Sequence, residues 1–245
     1  MPQAQLFITC LGDQFYTGTL QNMVRILETL GVELSFAAEQ TCCGQPLFNN
    51  GFEDQTRAVA LNFLRTFGKR SAPLVSPSGS CASMVRHHYP ELFTPGSSEH
   101  ALACDLAART YEFTEYLVHV LQVTDLGAVY THKVTYHASC HYLREMGLRE
   151  EAKLLLNQVE GLELVPLNEE ETCCGFGGAF SVTYPEVSRA MLENKVKNIL
   201  ASGADTVVTS EPGCLMNVAG GLRKAGSSMR AMHIIDVLAS ERSAA

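Results

Sequence analysis

The chain has no long apolar run and few basic residues, and each shortage argues against a class of protein. None of its hydrophobic stretches approaches the roughly 18 residues of a membrane-spanning helix. Its 18 lysines and arginines are dispersed and outnumbered by 26 acidic residues, which gives a net charge of −8. A nucleic-acid groove needs a basic stripe to neutralise phosphates. We therefore expect no membrane span and no nucleic-acid partner.

Signals for export, nucleotide binding and hydrolytic catalysis are also lacking. The first seven residues contain neither a basic region nor an apolar core, so the expected location is the cytoplasm. Gly175, Gly177 and Gly178 follow a cysteine pair and not a strand-to-helix turn, so they do not form a dinucleotide fingerprint. The sequence has no recognisable Ser/His/Asp arrangement and no paired-carboxylate motif. With no flavin or nicotinamide site evident, we expect that this chain does not carry out a dehydrogenation alone.

Cysteine, in contrast, occurs twice in one pattern. Each copy has a lone cysteine, then an adjacent pair followed by glycine, then a last cysteine. The lone cysteine precedes its pair by 32 positions in the first copy and 33 in the second, and the last cysteine follows by 38 and 40. This repetition predicts two related halves, each built around a thiolate site for a metal or metal cluster. The first set is Cys10, Cys42, Cys43 and Cys81, and the second is Cys140, Cys173, Cys174 and Cys214.

The order of secondary structure also repeats. Short β-like runs alternate with helical segments, which is typical of parallel α/β layers. We predict an α/β fold with two pseudo-symmetric repeats, at 1–125 and 126–245, each a mainly parallel sheet with flanking helices. Residues 142–159 are predicted to form one helix, and 101–121 either one long helix or a short strand running into a helix. The strands are predicted at 5–9, 33–37, 74–76, 133–138, 163–165 and 206–209.

The predicted strands place the cysteines. In each half the lone and last cysteines directly follow strands, and the pair lies in the loop after another strand. Loops at the carboxyl ends of parallel strands meet at one edge of the sheet, where open α/β folds place their sites. We therefore expect cysteines distant in sequence to converge. The last cysteine of each set also opens a helix, whose N-terminal dipole favours a thiolate.

Three kinds of thiolate site are compatible with the pattern. A disulfide framework is disfavoured in a reducing cytosol and in a chain of this size. Structural zinc sites usually use short-spaced pairs such as Cys-x-x-Cys, whereas these pairs have no spacer. Adjacent thiolates suit a polynuclear cluster, since neighbouring sulfurs can reach different irons. Glycine after each pair lets the backbone turn sharply beside a bulky ligand. The residues favour iron–sulfur over zinc and leave both open.

The motifs resemble a known family. Both sets match the duplicated cysteine-rich CCG domain, which occurs in heterodisulfide reductase and in the iron–sulfur subunits of glycolate oxidase and anaerobic glycerol-3-phosphate dehydrogenase. Three segments are more similar still to the lactate-utilisation proteins of this family, and the resemblance runs nearly end to end. These segments are Tyr136-His-Ala-Ser-Cys-His-Tyr-Leu-Arg, Cys173-Cys-Gly-Phe-Gly-Gly and Gly213-Cys-Leu-Met-Asn.

The resemblance implies a non-flavin iron–sulfur subunit of an L-lactate dehydrogenase system. Such a subunit acts with other iron–sulfur and electron-transfer proteins to oxidise L-lactate to pyruvate. The eight cysteines would hold one or two clusters, and four thiolates match an ordinary [4Fe–4S] centre. The broader family ends each motif with Cys-x-x-Cys, where this chain has Met84 and Asn217. Two alternatives remain: a zinc-binding or metal-free scaffold subunit, and a cluster enzyme of the heterodisulfide reductase type.

Further residues near the motifs have a functional and an ordinary interpretation. His137 and His141 flank Cys140 and are candidates to donate hydrogen bonds to cluster sulfur or to supply a ligand. The alternative is a strand-end and a helix-start histidine with common partners. Arg144 could contact an anionic substrate or partner, or form a surface salt bridge. Cys104 lies outside both sets and is expected to be a buried small hydrophobe.

Overall fold

The computed structural model describes residues 1–240. It divides the chain into two units, one ending at Tyr116 and the other beginning at Leu117. Each unit has a four-stranded parallel sheet with flanking helices, which confirms the predicted α/β fold. The strands are β1 (Gln3–Leu6), β2 (Glu33–Phe36), β3 (Leu74–Ser76), β4 (Thr110–Glu112), β5 (Lys133–His137), β6 (Glu163–Val165), β7 (Thr206–Thr209) and β8 (Arg230–His233).

The two sheets have the same strand order. In the first, β1 lies between β2 and β3, and β4 borders β3. In the second, β5 lies between β6 and β7, and β8 borders β7. Every pair of neighbours is parallel; Leu6, for example, is in register with Phe36 on one side and Val75 on the other. The direction of winding therefore reverses beside β1 and beside β5, which is where open α/β sheets bind ligands.

Helices connect the strands, and within residues 1–240 none has both the length and the apolarity to cross a membrane. Three single π-helical turns (Met84–His88, Tyr116–Val120, His141–Glu145) and a 3₁₀ turn (Pro90–Leu92) also occur. The helices are α1 (Cys10–Phe15), α2 (Thr17–Thr29), α3 (Gln45–Phe48), α4 (Glu53–Phe67), α5 (Gly79–Ser83), α6 (Ser98–Ala108), α7 (Phe113–Glu115), α8 (Glu151–Leu156), α9 (Phe180–Thr183), α10 (Pro185–Ala201), α11 (Pro212–Lys224) and α12 (Ile234–Leu238).

Helix α4 illustrates how local sequence places the core of the first unit. Two acidic residues, Glu53 and Asp54, occupy its first turn, where the helix dipole favours negative charge. Its buried side carries Phe63 and Phe67 at helical spacing. Both rings pack on Phe7, with centroids 4.8 and 5.9 Å from that ring. The first sheet is therefore covered by an aromatic layer next to its carboxyl edge.

Two predicted helices are not continuous. Residues 101–121 form the end of α6, then strand β4, then α7, so a single long helix is wrong. Helix α6 ends at Arg109, whose guanidinium donates to the backbone carbonyls of Ala72 and Phe67. These contacts bring the next residues alongside β3. The segment then pairs with β3, a long-range contact that the local helical pattern does not reveal.

The predicted helix over 142–159 is also interrupted. Its first part is the single π-helical turn His141–Glu145, and α8 covers only Glu151–Leu156. Gly147 lies between them with a φ of +70°, in the left-handed region that ends helices. Buried apolar residues continue on both sides of this glycine, with Leu143 before it and Leu148 and Ala152 after it. The helix is therefore interrupted at a point where the hydrophobic pattern of the sequence is continuous.

Candidate metal centres

Each cysteine set lies at the carboxyl edge of its own sheet. In the first unit Cys10 begins α1, the Cys42–Cys43 pair lies in the loop after β2, and Cys81 lies in α5 after β3. In the second unit the same places are taken by Cys140 after β5, the pair Cys173–Cys174 after β6, and Cys214 in α11 after β7. The three loops of a set lie next to one another because their strands are adjacent.

Within each unit the thiols are in contact in pairs. In the first, the sulfurs of Cys10 and Cys42 are 3.7 Å apart and those of Cys43 and Cys81 are 3.5 Å apart. In the second, the sulfurs of Cys174 and Cys214 are 3.2 Å apart, and the thiol of Cys140 is hydrogen-bonded to Cys173. All eight are free thiols. Each set therefore concentrates four soft donors in one small volume.

Exposure is graded across both sets. Cys43, Cys81, Cys174 and Cys214 are buried, Cys42, Cys140 and Cys173 are half-buried, and Cys10 is exposed. A cleft of about 350 Å³ opens beside the first set, lined by Cys10 and Cys42 together with Asp13, Phe36 and Gln40. Each site thus has a buried base and a more accessible rim.

Hydrogen bonds between the thiols favour one thiolate in each set. Donation from Cys10 and Cys43 lowers the pKa of Cys42, and donation from Cys140 and Cys174 lowers the pKa of Cys173. The amides of the following glycines add to this, since Gly44 N and Gly175 N point at those sulfurs from 3.4 and 3.3 Å. Metal ligands must be deprotonated, so the first cysteine of each pair is prepared for binding.

The glycines after the pairs are required by the backbone. Gly44 has a φ of +83° and Gly175 a φ of +85°, a region that side chains with a Cβ disfavour. A Cβ on Gly175 would lie 2.6 Å from the Ser188 carbonyl oxygen of α10. On Gly44 it would meet only side-chain atoms, the nearest belonging to Val59 at 3.3 Å. The glycine turn thus directs each pair into its site and packs it against a helix.

His137 belongs to the second site. One of its ring nitrogens and the sulfurs of Cys174 and Cys214 all lie within 4.8 Å of one another. The ring is fully buried, and neither nitrogen has a hydrogen-bond partner of acceptable geometry within residues 1–240. Burial and the nearby Lys195 ammonium lower the pKa of His137 to about 3. They outweigh the Cys173 sulfur and a weak contact with the Glu170 backbone, both of which raise this pKa. The imidazole is therefore neutral at physiological pH, the form that binds metal.

Lys195 connects α10 to the loop that carries the second pair. Its ammonium donates to the carbonyl oxygens of Glu169 and Glu170 at 2.6 and 3.2 Å. Glu169 has a φ of +51°, and its carboxylate accepts hydrogen bonds from Asn194 and Asn198 of the same helix. Burial lowers the pKa of Lys195, and the sulfurs of Cys174, Cys173 and Cys214 oppose that effect. The loop geometry thus depends on α10.

Comparison with known proteins supplies the family. A family described as "Cysteine-rich domain" (CCG) matches residues 4–86 and again 134–219. The chain belongs to the CCG cysteine-rich domain family. Two relatives named Lactate utilization protein A, from Exiguobacterium and Shouchella clausii, are each 45% identical over 97% and 96% of this chain and 97% and 98% of their own lengths. Lactate utilization protein A 2 of Bacillus cereus is 42% identical over 97% of this chain and 98% of its own.

A solved structure shares the CCG fold at low sequence similarity. The crystal structure of a hypothetical protein from Helicobacter pylori aligns with 98% of this chain at a TM-score of 0.61 and 11% identity. This chain spans 49% of that chain's length. The likeness concerns the fold alone.

Two residues replace the last cysteine of the broader CCG motif in different ways. Asn217 donates from its side-chain amide to the carbonyl oxygen of Cys174 at 2.9 Å. Met84 is buried in the core of the first unit, and there Tyr89 donates its hydroxyl to the Cys43 carbonyl at 2.9 Å. Each CCG pair is therefore anchored by a side-chain hydrogen bond to its second carbonyl. Only in the second unit does the anchoring residue, Asn217, occupy the position of the missing cysteine; in the first unit the anchor is Tyr89, five residues after Met84.

The remaining residues that the sequence singled out have local contacts. His141 lies with Nδ1 3.6 Å from the Cys140 sulfur and Nε2 3.7 Å from the Glu145 carboxylate. Arg144 donates to the Glu171 carbonyl at 3.1 Å on the surface. Cys104 is exposed on α6, beside the His100 ring at 3.8 Å, so its expected burial is wrong. Cys104 and Asp105 lie on the exposed side of α6, whereas Ala103 and Leu106 are buried.

Sequence reasoning did not single out Lys195 or Tyr89. Lys195 carried a detectable signal, because it lies on the side of the predicted helix that also carries Met191 and Ile199. A lysine at helical spacing within an apolar stripe has either a buried partner or a function. Tyr89 carried no such signal, since its role depends on a contact with the carbonyl of Cys43, which is distant in sequence.

Proposed function

We propose that this chain is an iron–sulfur electron-transfer component of a multi-protein system that oxidises L-lactate to pyruvate. The two centres are held in the repeats 1–125 and 126–245. If bound, such centres would supply one-electron transfer between a dehydrogenation on a partner protein and an acceptor. Cys10, Cys42, Cys43 and Cys81 hold one centre, and Cys140, Cys173, Cys174 and Cys214 hold the other.

The observation that carries this proposal is the grouping of four free thiols twice at the carboxyl edge of a parallel sheet. Soft thiolate sets select iron–sulfur centres or zinc. The adjacent pairs favour a polynuclear centre, because neighbouring sulfurs can bind different irons. The relatives are named Lactate utilization protein A, which supports lactate as the substrate of the system. When bound, such a centre accepts and releases one electron at a time.

The chain's own residues perform the supporting tasks. The glycine amides and neighbouring thiols stabilise the first thiolate of each pair. Two cysteines of each set are buried and exclude water, while Cys10 is exposed and Cys140 is half-buried at the more accessible rim. Tyr89 and Asn217 fix the pair carbonyls. Together these contacts hold the sulfurs where a centre can form.

The test is the metal content of protein purified without oxygen. We expect roughly four to eight irons per chain, matching sulfide and a broad visible absorption band. Cys43→Ser and Cys174→Ser each remove a buried sulfur and should each lose about half of the iron and the sulfide. Cys104→Ser is the matched control, since Cys104 is an exposed thiol outside both sets. Full iron in the Cys43→Ser, Cys174→Ser double variant would contradict the proposal.

A zinc-binding scaffold is the second candidate, and one observation favours it. Thiolates around a tetrahedral zinc ion at about 2.3 Å are roughly 3.8 Å apart. The sulfur separations of 3.7 and 3.5 Å in the first set approach that value. Stoichiometric zinc in a colourless protein, after anaerobic purification and reconstitution with iron and sulfide, would establish the scaffold instead.

A further inference from the structure

The two candidate centres have different surroundings at two equivalent positions. Phe7 and His137 each lie three residues before the lone cysteine of their set. Val59 of α4 and Met191 of α10 are the helix residues next to the two pair glycines, and four residues further along each helix are Phe63 and Lys195. An imidazole and an ammonium in the second unit thus replace two aromatic rings in the first.

The aromatic pair is ordinary core. Phe7 and Phe63 are in edge-to-face contact with centroids 4.8 Å apart, and both are fully buried. Phe63 also packs edge-on against Tyr89, the residue that anchors the Cys43 carbonyl. The first site therefore has an apolar wall at this position. The donors that it offers to a bound group are the sulfurs of its cysteines.

Burying the side chains of His137 and Lys195 costs free energy unless each has a polar partner or binds a ligand. An imidazole and an ammonium removed from water each lose solvation, and buried polar groups normally have hydrogen-bond partners. Lys195 has its partners in the carbonyls of Glu169 and Glu170. His137 has none of acceptable geometry within the described residues, while a ring nitrogen lies within 4.8 Å of the Cys174 and Cys214 sulfurs. A metal ion is the kind of partner that this ring nitrogen and these two sulfurs could bind together.

We propose that His137 binds the metal of the second centre through a ring nitrogen, beside Cys174 and Cys214, so that the two centres differ in their ligands. The first centre is bound by thiolates alone, and the second has an imidazole donor in addition. This inference rests on the proposed function for the presence of a metal. Lys195 acts as a positioning residue, holding the loop before the pair and placing a positive charge beside the thiolates.

Unequal ligands give the two centres unequal reduction potentials. The ammonium of Lys195 interacts with the thiolates of Cys173, Cys174 and Cys214 and lowers the net negative charge around the second centre. Less negative surroundings raise the potential of an iron–sulfur centre. The second centre is therefore the more easily reduced.

The experiment uses full-length protein reconstituted without oxygen, with histidine labelled with ¹⁵N, and reads nitrogen coupling by pulsed EPR after reduction. We expect a directly coupled nitrogen that changes with the label and disappears in His137→Phe, the residue type at the equivalent position in the first unit. His141→Phe is the matched control and should retain the coupling, although His141 also lies beside a cysteine of this set. If His137→Phe does not fold, His137→Gln tests the same ligand with a polar side chain.

The outcomes separate this inference from the proposed function. Absence of histidine coupling in iron-loaded protein, or its persistence without His137, overturns the ligand assignment while the iron content still supports electron transfer. If the protein holds no iron or gives no signal, the same variants are loaded with Co²⁺ alone. The paramagnetic Co²⁺ then reports whether a histidine nitrogen is bound, independently of any cluster. Loss of the higher of two potentials in His137→Phe further supports the assignment.

Discussion

Replacing Gly175 by alanine tests the turn that directs the second cysteine pair. The residue has a φ of +85°, and an added Cβ would lie 2.6 Å from the Ser188 carbonyl oxygen and 3.0 Å from the Met191 Cβ. Both atoms belong to α10 near its backbone, so neither can rotate away as the end of a flexible side chain can. The loop or the helix must shift.

The cost has two parts. A left-handed conformation costs an L-residue about 1–2 kcal/mol relative to glycine. Forcing an extra carbon into a packed contact costs about 1–3 kcal/mol more. We therefore expect Gly175→Ala to lower the free energy of unfolding of the second unit by about 2–5 kcal/mol. The same substitution should lower iron retention at the second centre, because the turn carries Cys173 and Cys174.

Two other glycines isolate the parts of this cost. Gly203 has a φ of +69° with no atom within 4 Å of an added Cβ, so Gly203→Ala measures the conformational cost alone. Gly44 has a φ of +83° and only side-chain atoms close by, the nearest belonging to Val59 at 3.3 Å. Both variants should lose about 1–2 kcal/mol. Urea unfolding of the reduced, metal-free chain, followed by circular dichroism, gives the three values. A Gly175→Ala cost no larger than that of Gly203→Ala would refute the reasoning.

Two further predictions concern the pair anchors and a buried acid. Tyr89→Phe should weaken metal retention at the first centre, because it frees the carbonyl of Cys43, and Asn217→Ala should do the same at the second, because it frees the carbonyl of Cys174. Each loss should be roughly the 1 kcal/mol of one hydrogen bond. Iron analysis of partly depleted protein checks this, and loss of iron at the opposite centre would contradict it. Burial raises the pKa of Glu112 to about 8 from 4.5, so the folded state binds the proton more tightly and stability falls as pH rises from about 5 to 8. Glu112→Gln should flatten that pH dependence in urea unfolding, and an unchanged slope would refute the role of this carboxyl.

Much of the fold could be predicted from local pattern. Alternating β-like runs and helical segments predicted the parallel strands, since buried parallel strands and their crossover helices leave distinct periodicities. The failures occurred where local pattern and backbone conformation diverge. Within residues 101–121, only Thr110–Glu112 forms strand β4, by pairing with the free edge of β3, so the single long helix was wrong and the alternative of a short strand running into a helix was nearer. Residues 142–159 broke at Gly147 because of its left-handed φ.

The spacing of the cysteines by itself determined that the chain has two equivalent thiol sets, because residue type and sequence distance carry ligand chemistry directly. It also placed them at strand ends, where loops of a parallel sheet meet. Only the tertiary structure decided that the sets are surrounded differently. Phe7 with Phe63 and His137 with Lys195 are equivalent positions on a strand end and on a helix that covers it. A local pattern cannot report such a pair, because its members meet only when the helix packs on the sheet.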